Sequence, residues 1–514
     1  MPRYREQIRR QAMMIPLRFE EQIQAGTIEH AINYLVENEI DLSGFEARYR
    51  NDDTGAPAIH PGVLLKVVLF AYSRGIVSSR RIARACCENV VFMALSGDTQ
   101  PHFTTIAEIV STMGEEAVRV FTDVLTVCYA EGLIGKKMFA VDGCKISSNC
   151  AKEWSGTKAE LEKKAKRIEE SVRELIKRHR DEDEKPVEPG QREKEERAIR
   201  HLRGKAQKIR AFLKGNEERL GARGKPVKSN VTDNESAKMP SSHGVIQGYN
   251  GIAAVDAKRQ VIVDAQAFGD GHEAQHLESI VDSLDRTFRK LEPGGRVLEE
   301  VVLTADSGFN SERAVQAVLE RGIEAYVADP KFRKRDPRFS NHQAYKAKST
   351  DRKRTSRARK YFSADEFIFD ESGTLICPAG KPMKSRGPNW RDKRKGYTGR
   401  SFSGYPAFCL RCELRSKCLR SPKSPARQVA KIDPGIRHKR KSAVQRMIER
   451  FDTLRGRHFY RQRMGTAEPV FGDIRDALGL DRFTLRGRKK VDAQWKLYCT
   501  VHNIGKLARH GGFG

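Results

Sequence analysis

Three acids stand where a reaction could be carried out. Asp142 closes the apolar run Met138-Phe139-Ala140-Val141 and is followed by Gly143. Asp306 closes Val301-Val302-Leu303-Thr304-Ala305 and is followed by Ser307-Gly308. Glu468 is the only acid between Asp452 and Asp473, and Tyr460, Arg461, Arg463 and Arg475 surround it. An apolar run that ends in an acid and a small residue is how a buried strand presents one carboxylate at a sheet edge. Carboxylates from separate elements can hold a pair of hard cations about 4 Å apart, the arrangement that catalyses phosphodiester cleavage and transfer. Each acid alone has a plainer reading: an Asp-Gly turn, or a surface Glu–Arg pair on a helix. Asp233 and Asp264 are further acids near the same expected sheet and are the alternative ligands; Asp142 and Asp306 are preferred because apolar strands end there and the order of elements fits.

The elements that must position these acids follow from the pattern of the chain. With 514 residues the protein is too long for one core. Residues 1–135 read as a helical domain. His60-Pro61-Gly62 opens an apolar helix; Ser78-Ser79 offers an N-cap for a short helix and Glu88-Asn89 a turn before the next, a pair that resembles a DNA-binding helix-turn-helix or, equally, an ordinary helix pair of a bundle. Residues 136–150 hold the first acid-bearing strand. In 151–228, Leu161, Ala165, Ile168, Val172 and Leu175 step by heptad spacing, and so do Ile199, Leu202, Ala206, Ile209 and Leu213 beyond the break Asp181–Gly190. This predicts a charged antiparallel helical hairpin that carries no chemistry. Residues 229–330 alternate strands and helices, with a hairpin turn at Ala257-Lys258 and a helix of about fifteen residues from His272. The prediction is a mixed sheet flanked by helices.

Residues 331–457 are basic and irregular, with clusters at Arg352–Lys360 and Arg437–Lys441. Cys409-x-x-Cys412 has chelate spacing, and Cys377 and Cys418 complete a tetrahedral thiol set for a closed, structural zinc site; four reduced thiols are the alternative. Residues 458–514 form the last helical region, where Trp495, Leu497, Val501 and Ile504 read as core. Pro469 removes the backbone bond to residue 465, so Glu468 is expected at a kink or at the start of a new helix.

Lys and Arg total 96 against 67 acids, a net charge of +29, and nucleic acid is the polyanion such a chain meets. No apolar run approaches the roughly 18 residues of a membrane span, and no secretion signal follows Met1-Pro2-Arg3-Tyr4-Arg5. Ten cysteines, most of them scattered, point to a reducing cytoplasm.

Taken together, these segments resemble the DDE transposases of bacterial insertion sequences over nearly the whole chain. His60–Val110 resembles their N-terminal helical region, Phe139–Gly143 and Thr304–Phe309 their two catalytic strands, and Tyr460-x-x-Arg463 with Glu468 and Arg475 their Tyr–Arg–Glu–Lys signature. Two departures stand out: four residues separate Arg463 from Glu468 where three are usual, and Arg475 replaces the Lys. The resemblance implies an RNase H-like catalytic core interrupted by the helical hairpin and the cysteine-bearing segment. It implies Asp142, Asp306 and Glu468 as ligands of two Mg²⁺ (or Mn²⁺) ions, and Tyr460, Arg463 and Arg475 as phosphate-binding residues. It further implies double-stranded DNA partners, the element's terminal inverted repeats and target DNA, a homodimer on that DNA, and a cytoplasmic, nucleoid-associated place of action. An RNase H-like nuclease that does not join ends, and a DNA-binding protein derived from a transposase, are the rival functions.

Overall fold

The structure is a computed structural model that describes residues 16, 18–49, 57–182, 191–221, 224–241, 244–339, 361–387, 390–391, 398–421, 423–432 and 442–512. The basic clusters Arg352–Lys360 and Arg437–Lys441, the segment Met1–Arg5 and most of the break Asp181–Gly190 lie outside the described residues. Two compact units are present: residues 1–329 with 449–514, and residues 330–448.

In the first unit helices come first, among them α1 (Ile28–Asn38), α2 (Pro61–Ser73), α3 (Ser79–Glu88), α4 (Val90–Ser96), α5 (Phe103–Thr112) and α6 (Glu115–Ala130). Pro61 sits in the first turn of α2, where its missing N–H costs nothing, and the His60 side chain caps Gly62 N. Asn89 ends α3 and caps α4 by accepting from Val91 N and Phe92 N.

The sheet follows. Its strands are β1 (Met138–Ser147), β2 (Ala237–Ser241), β3 (Gly244–Asp256), β4 (Ile262–Phe268), β5 (Val302–Ala305) and β6 (Glu324–Val327). They lie in the order β2-β3-β1-β5-β6, with β4 also paired to β3. The β1–β5–β6 ladder is parallel and the others are antiparallel. Every residue of β5 is buried, as in a central parallel strand covered on both faces.

Helices cover both faces. On one, Phe139 stacks on Phe288 of α9 (Leu277–Leu291) at 5.3 Å between centroids. On the other, Trp495 of α12 (Arg488–His510) lies against Gly251, where a Cβ would come within 3.0 Å of the indole. A mixed sheet flanked by helices fits an RNase H-like core.

Between β1 and β2 stand α7 (Lys158–Glu182) and α8 (Gln191–Gly215). They meet through buried Leu161, Ala165 and Ile209, and Arg210 grips Glu169 with two bonds of 2.9 Å. After β5 come α10 (Glu312–Glu320) and, following the second unit, α11 (Leu454–Gly472).

The second unit is less irregular than its composition implies. Phe367, Leu375, Met383, Phe402 and Val429 form its own small core. Around that core, Thr398–Ser403 pairs with Lys384–Ser385, Trp390–Arg391 and Gln428–Ile432.

Candidate active site

Val141 and Ala305 are partners in the parallel β1–β5 ladder, so Asp142 and Asp306 are the next residues on two neighbouring strands. The sequence places Asp142 at the end of its strand, and this needs correction. β1 runs on through Cys144 to Ser147, because β3 continues to pair with it as far as Ser147↔Gly248. Only the ladder with β5 stops at Asp142, and that one-sided stop opens the sheet beside the carboxylate.

Small residues hold both acids by backbone bonds. Asp142 Oδ1 accepts from Gly143 N at 2.9 Å, and Asp306 Oδ1 accepts from Gly308 N at 2.8 Å. Burial raises the Asp142 pKa; the Arg463 guanidinium opposes this and the Asp306 charge adds to it.

A fourth acid, Glu273, joins them and was missed in the sequence. A Cβ on Gly143 would lie 3.3 Å from Glu273 Oε1, and one on Gly308 would collide with Oε2, so this carboxylate sits against the segments that carry Asp142 and Asp306. Asn250 Nδ2 donates to it at 3.2 Å. Burial, then the charge of Asp306, and more weakly that of Asp142, push its pKa up to about 7. The expected helix from His272 begins only at Leu277, since Glu273–Gln275 forms a 3-10 turn that sets the Glu273 backbone apart from α9. The surrounding Gly269-Asp270-Gly271-His272 is the available sequence signal, a polar glycine-rich turn beside a strand end.

α11 supplies the rest. It is one continuous helix through Pro469, so no new helix begins at Glu468. Proline leaves the Gly465 carbonyl without its helical donor, and Gln260 Nε2 takes that place at 3.0 Å. Arg463 is buried and donates from Nη1 to Asp142 Oδ2 at 2.6 Å, while its guanidinium lies 5.5 Å from the Tyr460 ring centroid. Tyr460 packs edge-on against Phe451 at 4.8 Å.

Glu468 is five positions beyond Arg463, about 140° around a regular helix. Arg463 therefore faces Asp142 while Glu468 is exposed. A π-helical turn at Asp473–Ala477 then interrupts the regular helical phase between Glu468 and Arg475. Arg475 acts on Cys144, whose thiol burial pushes up to about 12 while Arg475 draws it down.

The other candidate acids have structural partners. Asp233 accepts from Tyr249 Oη at 2.7 Å and from Gly487 N at 3.2 Å. Asp264 accepts from Ser283 Oγ at 2.6 Å and from Gln266 Nε2 at 3.0 Å.

The family described as "Transposase DDE domain" matches residues 376–508, the stretch that carries Tyr460, Arg463, Glu468 and Arg475. A second family, "Transposase domain (DUF772)", matches residues 17–112 in the N-terminal helices. Together the two matches support a DDE transposase of an insertion sequence. No curated protein matches it. Asp142 and Asp306 lie outside both matched stretches, so their place in this transposase rests on the sheet geometry. A transposase family implies DNA binding. No helix among the described residues is long and apolar enough to cross a membrane.

A DDE transposase uses divalent metal, and the residues here fit one. The donors are the hard carboxylate oxygens of Asp142 and Asp306, whose like charges a cation relieves. Among the described residues no three His, Cys, Asp or Glu side chains are gathered into a complete ligand set. Asp142 and Asp306 therefore make an open pair, to be completed by a further side chain, water or phosphate oxygens.

In the second unit Cys377, Cys409, Cys412 and Cys418 line one cavity. Burial raises the Cys418 thiol, Arg427 lowers it, and the other three cysteines raise it further. Lys381 N donates to Cys377 Sγ at 3.4 Å. None of the ten cysteines forms a disulfide.

Proposed function

We propose that this transposase hydrolyses DNA at the ends of its insertion sequence and joins the freed 3′-hydroxyl to target DNA. The observation that carries this reading is that Asp142 and Asp306 follow directly on Val141 and Ala305, the last partners of the parallel β1–β5 ladder, on a chain of net charge +29. Asp142 and Asp306 would hold two Mg²⁺ (or Mn²⁺) ions, with Glu468 as third ligand. Such ions supply stabilisation of the attacking and leaving oxygens of an in-line displacement.

The chain's own side chains position and neutralise. Arg463 anchors the Asp142 carboxylate and keeps a cation at the site. Tyr460 braces Arg463 from beneath, and Arg475 offers a phosphate contact from the widened turn. Glu468 stands on the exposed side of α11, about 140° around the helix from Arg463. Glu273 borders the same centre as a fourth carboxylate. Two ends must be held at once, so the working form is a homodimer on DNA, acting in the cytoplasm on nucleoid DNA. The four thiols of the second unit are of the soft type that zinc takes, and a closed tetrahedral set there would brace the small core rather than take part in catalysis.

The deciding experiment incubates the protein with Mn²⁺, labelled DNA bearing the element's ends and a target plasmid. Joined products that vanish with Asp142→Ala or Asp306→Ala, while DNA binding persists, support the reading. Cut ends without joined products would make the chain a nuclease, and unchanged function in both variants would make it a DNA-binding protein. Metal analysis of the purified protein tests the thiols: one zinc per chain is expected, lost in Cys409→Ser.

A further inference from the structure

Six cations line one groove at the β4 edge of the sheet: Arg286, Arg289 and Lys290 from α9, and Arg488, Lys489 and Lys496 from α12. α6 closes its third side with Val118 and Thr122. Only two acids line it, and both are engaged. Asp492 holds Lys496 and Ala267 N, and Glu235 accepts from Arg488 N. Arg289 pairs with Asp285 of its own helix. Arg286, Lys290 and Lys489 are exposed and have no carboxylate partner among the described residues.

Helix stability does not explain this charge. The first turn of α12 carries Arg488, Lys489 and Lys490 and no acid, although the positive end of a helix dipole disfavours cations. Cations crowded in a concavity against that field lower the potential energy of an anionic ligand.

The groove also lies level with the catalytic edge. Gln266, which lines it, is in register with Ile252, and Ile252 with Gly143 beside Asp142. Two strand spacings separate them, about 10 Å, or about three nucleotides of one DNA strand at 3.4 Å each.

We propose that this groove binds the sugar-phosphate backbone of duplex DNA flanking the phosphate at the catalytic acids. The choice of DNA as occupant rests on the transposase reading, whereas the groove itself does not. It reads no bases: exposed lysine and arginine heads on two rigid helices fix position and register.

The test measures binding of a labelled 30-base-pair duplex of arbitrary sequence by fluorescence anisotropy across a salt series. The variants are the triple Arg286→Ala/Lys290→Ala/Lys489→Ala and a control, Arg18→Ala/Arg197→Ala/Arg313→Ala, which removes equal charge elsewhere. The groove triple should weaken binding at least tenfold and flatten the plot of log affinity against log salt by about 2 to 3. The control should change affinity less than twofold, and both should keep the parent melting temperature. Equal losses in the two triples, or none in the groove triple, would overturn the proposal. So would salt-sensitive self-association without DNA that the groove triple abolishes, since acids of a second copy would then be the occupant. The two readings fail separately: a selective loss of binding in the groove triple upholds the groove even if the parent protein neither cuts nor joins DNA.

Discussion

Arg463 Nη1 lies 2.6 Å from Asp142 Oδ2, joining residues 321 positions apart at the centre of the site. The Arg463 side chain is 9% exposed and that of Asp142 19%, so neither charge has much water to fall back on. Removing one partner strands the other, which costs about 3 kcal/mol, whereas removing both costs less than the sum. Arg463→Ala should therefore lower urea-measured stability by about that amount. Arg463→Ala/Asp142→Asn should recover part of it; strictly additive losses would contradict a coupled pair.

The third metal ligand is tested by two conservative substitutions. Glu468→Gln should reduce strand transfer at least a hundredfold with duplex binding intact, as loss of a ligand does. Glu273→Gln keeps the size and the Asn250 bond while removing a charge beside Asp306, and should cost no more than about tenfold. The reverse order would make Glu273 the ligand and Glu468 a surface residue.

Gln260 and Pro469 should be non-additive for a backbone reason. Gln260→Ala exposes the Gly465 carbonyl and should destabilise by about 1 kcal/mol. In Pro469→Ala the amide of residue 469 can take that carbonyl, so Gln260→Ala should then cost measurably less. Lys506, which donates to Gln260 Oε1 at 3.1 Å, loses a partner in both backgrounds and leaves the comparison intact. Equal costs in urea denaturation would rule out the substitution of one donor for the other.

Acid stability carries a signature of Glu324. Arg455 holds its two oxygens at 2.6 and 2.9 Å and Tyr326 adds a bond, taking its pKa down to about 2 from the ordinary 4.5. A depressed carboxylate stabilises the fold above its unfolded value, and that contribution is lost as pH falls through 4.5 toward 2. Arg455 is 63% exposed, which keeps the effect small. Glu324→Gln should show a slightly lower melting temperature at pH 6 and a shallower fall toward pH 3; parallel curves would deny the pair any role.

Local pattern determined a good deal of this protein. The runs ending at Asp142 and Asp306 announced buried strands, because strands covered on both faces must be apolar throughout. The steps from Leu161 to Leu175 and from Ile199 to Leu213 announced two facing helices, and Pro469 announced a freed carbonyl at Gly465. These follow from periodicity and from what one residue does to its neighbours' backbone.

Tertiary structure decided the rest, since it depends on partners far away in sequence. β1 continues past Asp142 only because β3 pairs with it there. Gly465 is satisfied by Gln260, and Arg463 faces a carboxylate rather than solvent. Glu273 reaches the site because a 3-10 turn places it against Gly143 and Gly308, two glycines that leave room for its carboxylate. The side of α11 on which Glu468 stands is set by five residues of helical phase and by how that helix lies on the sheet, which no run of neighbouring letters encodes.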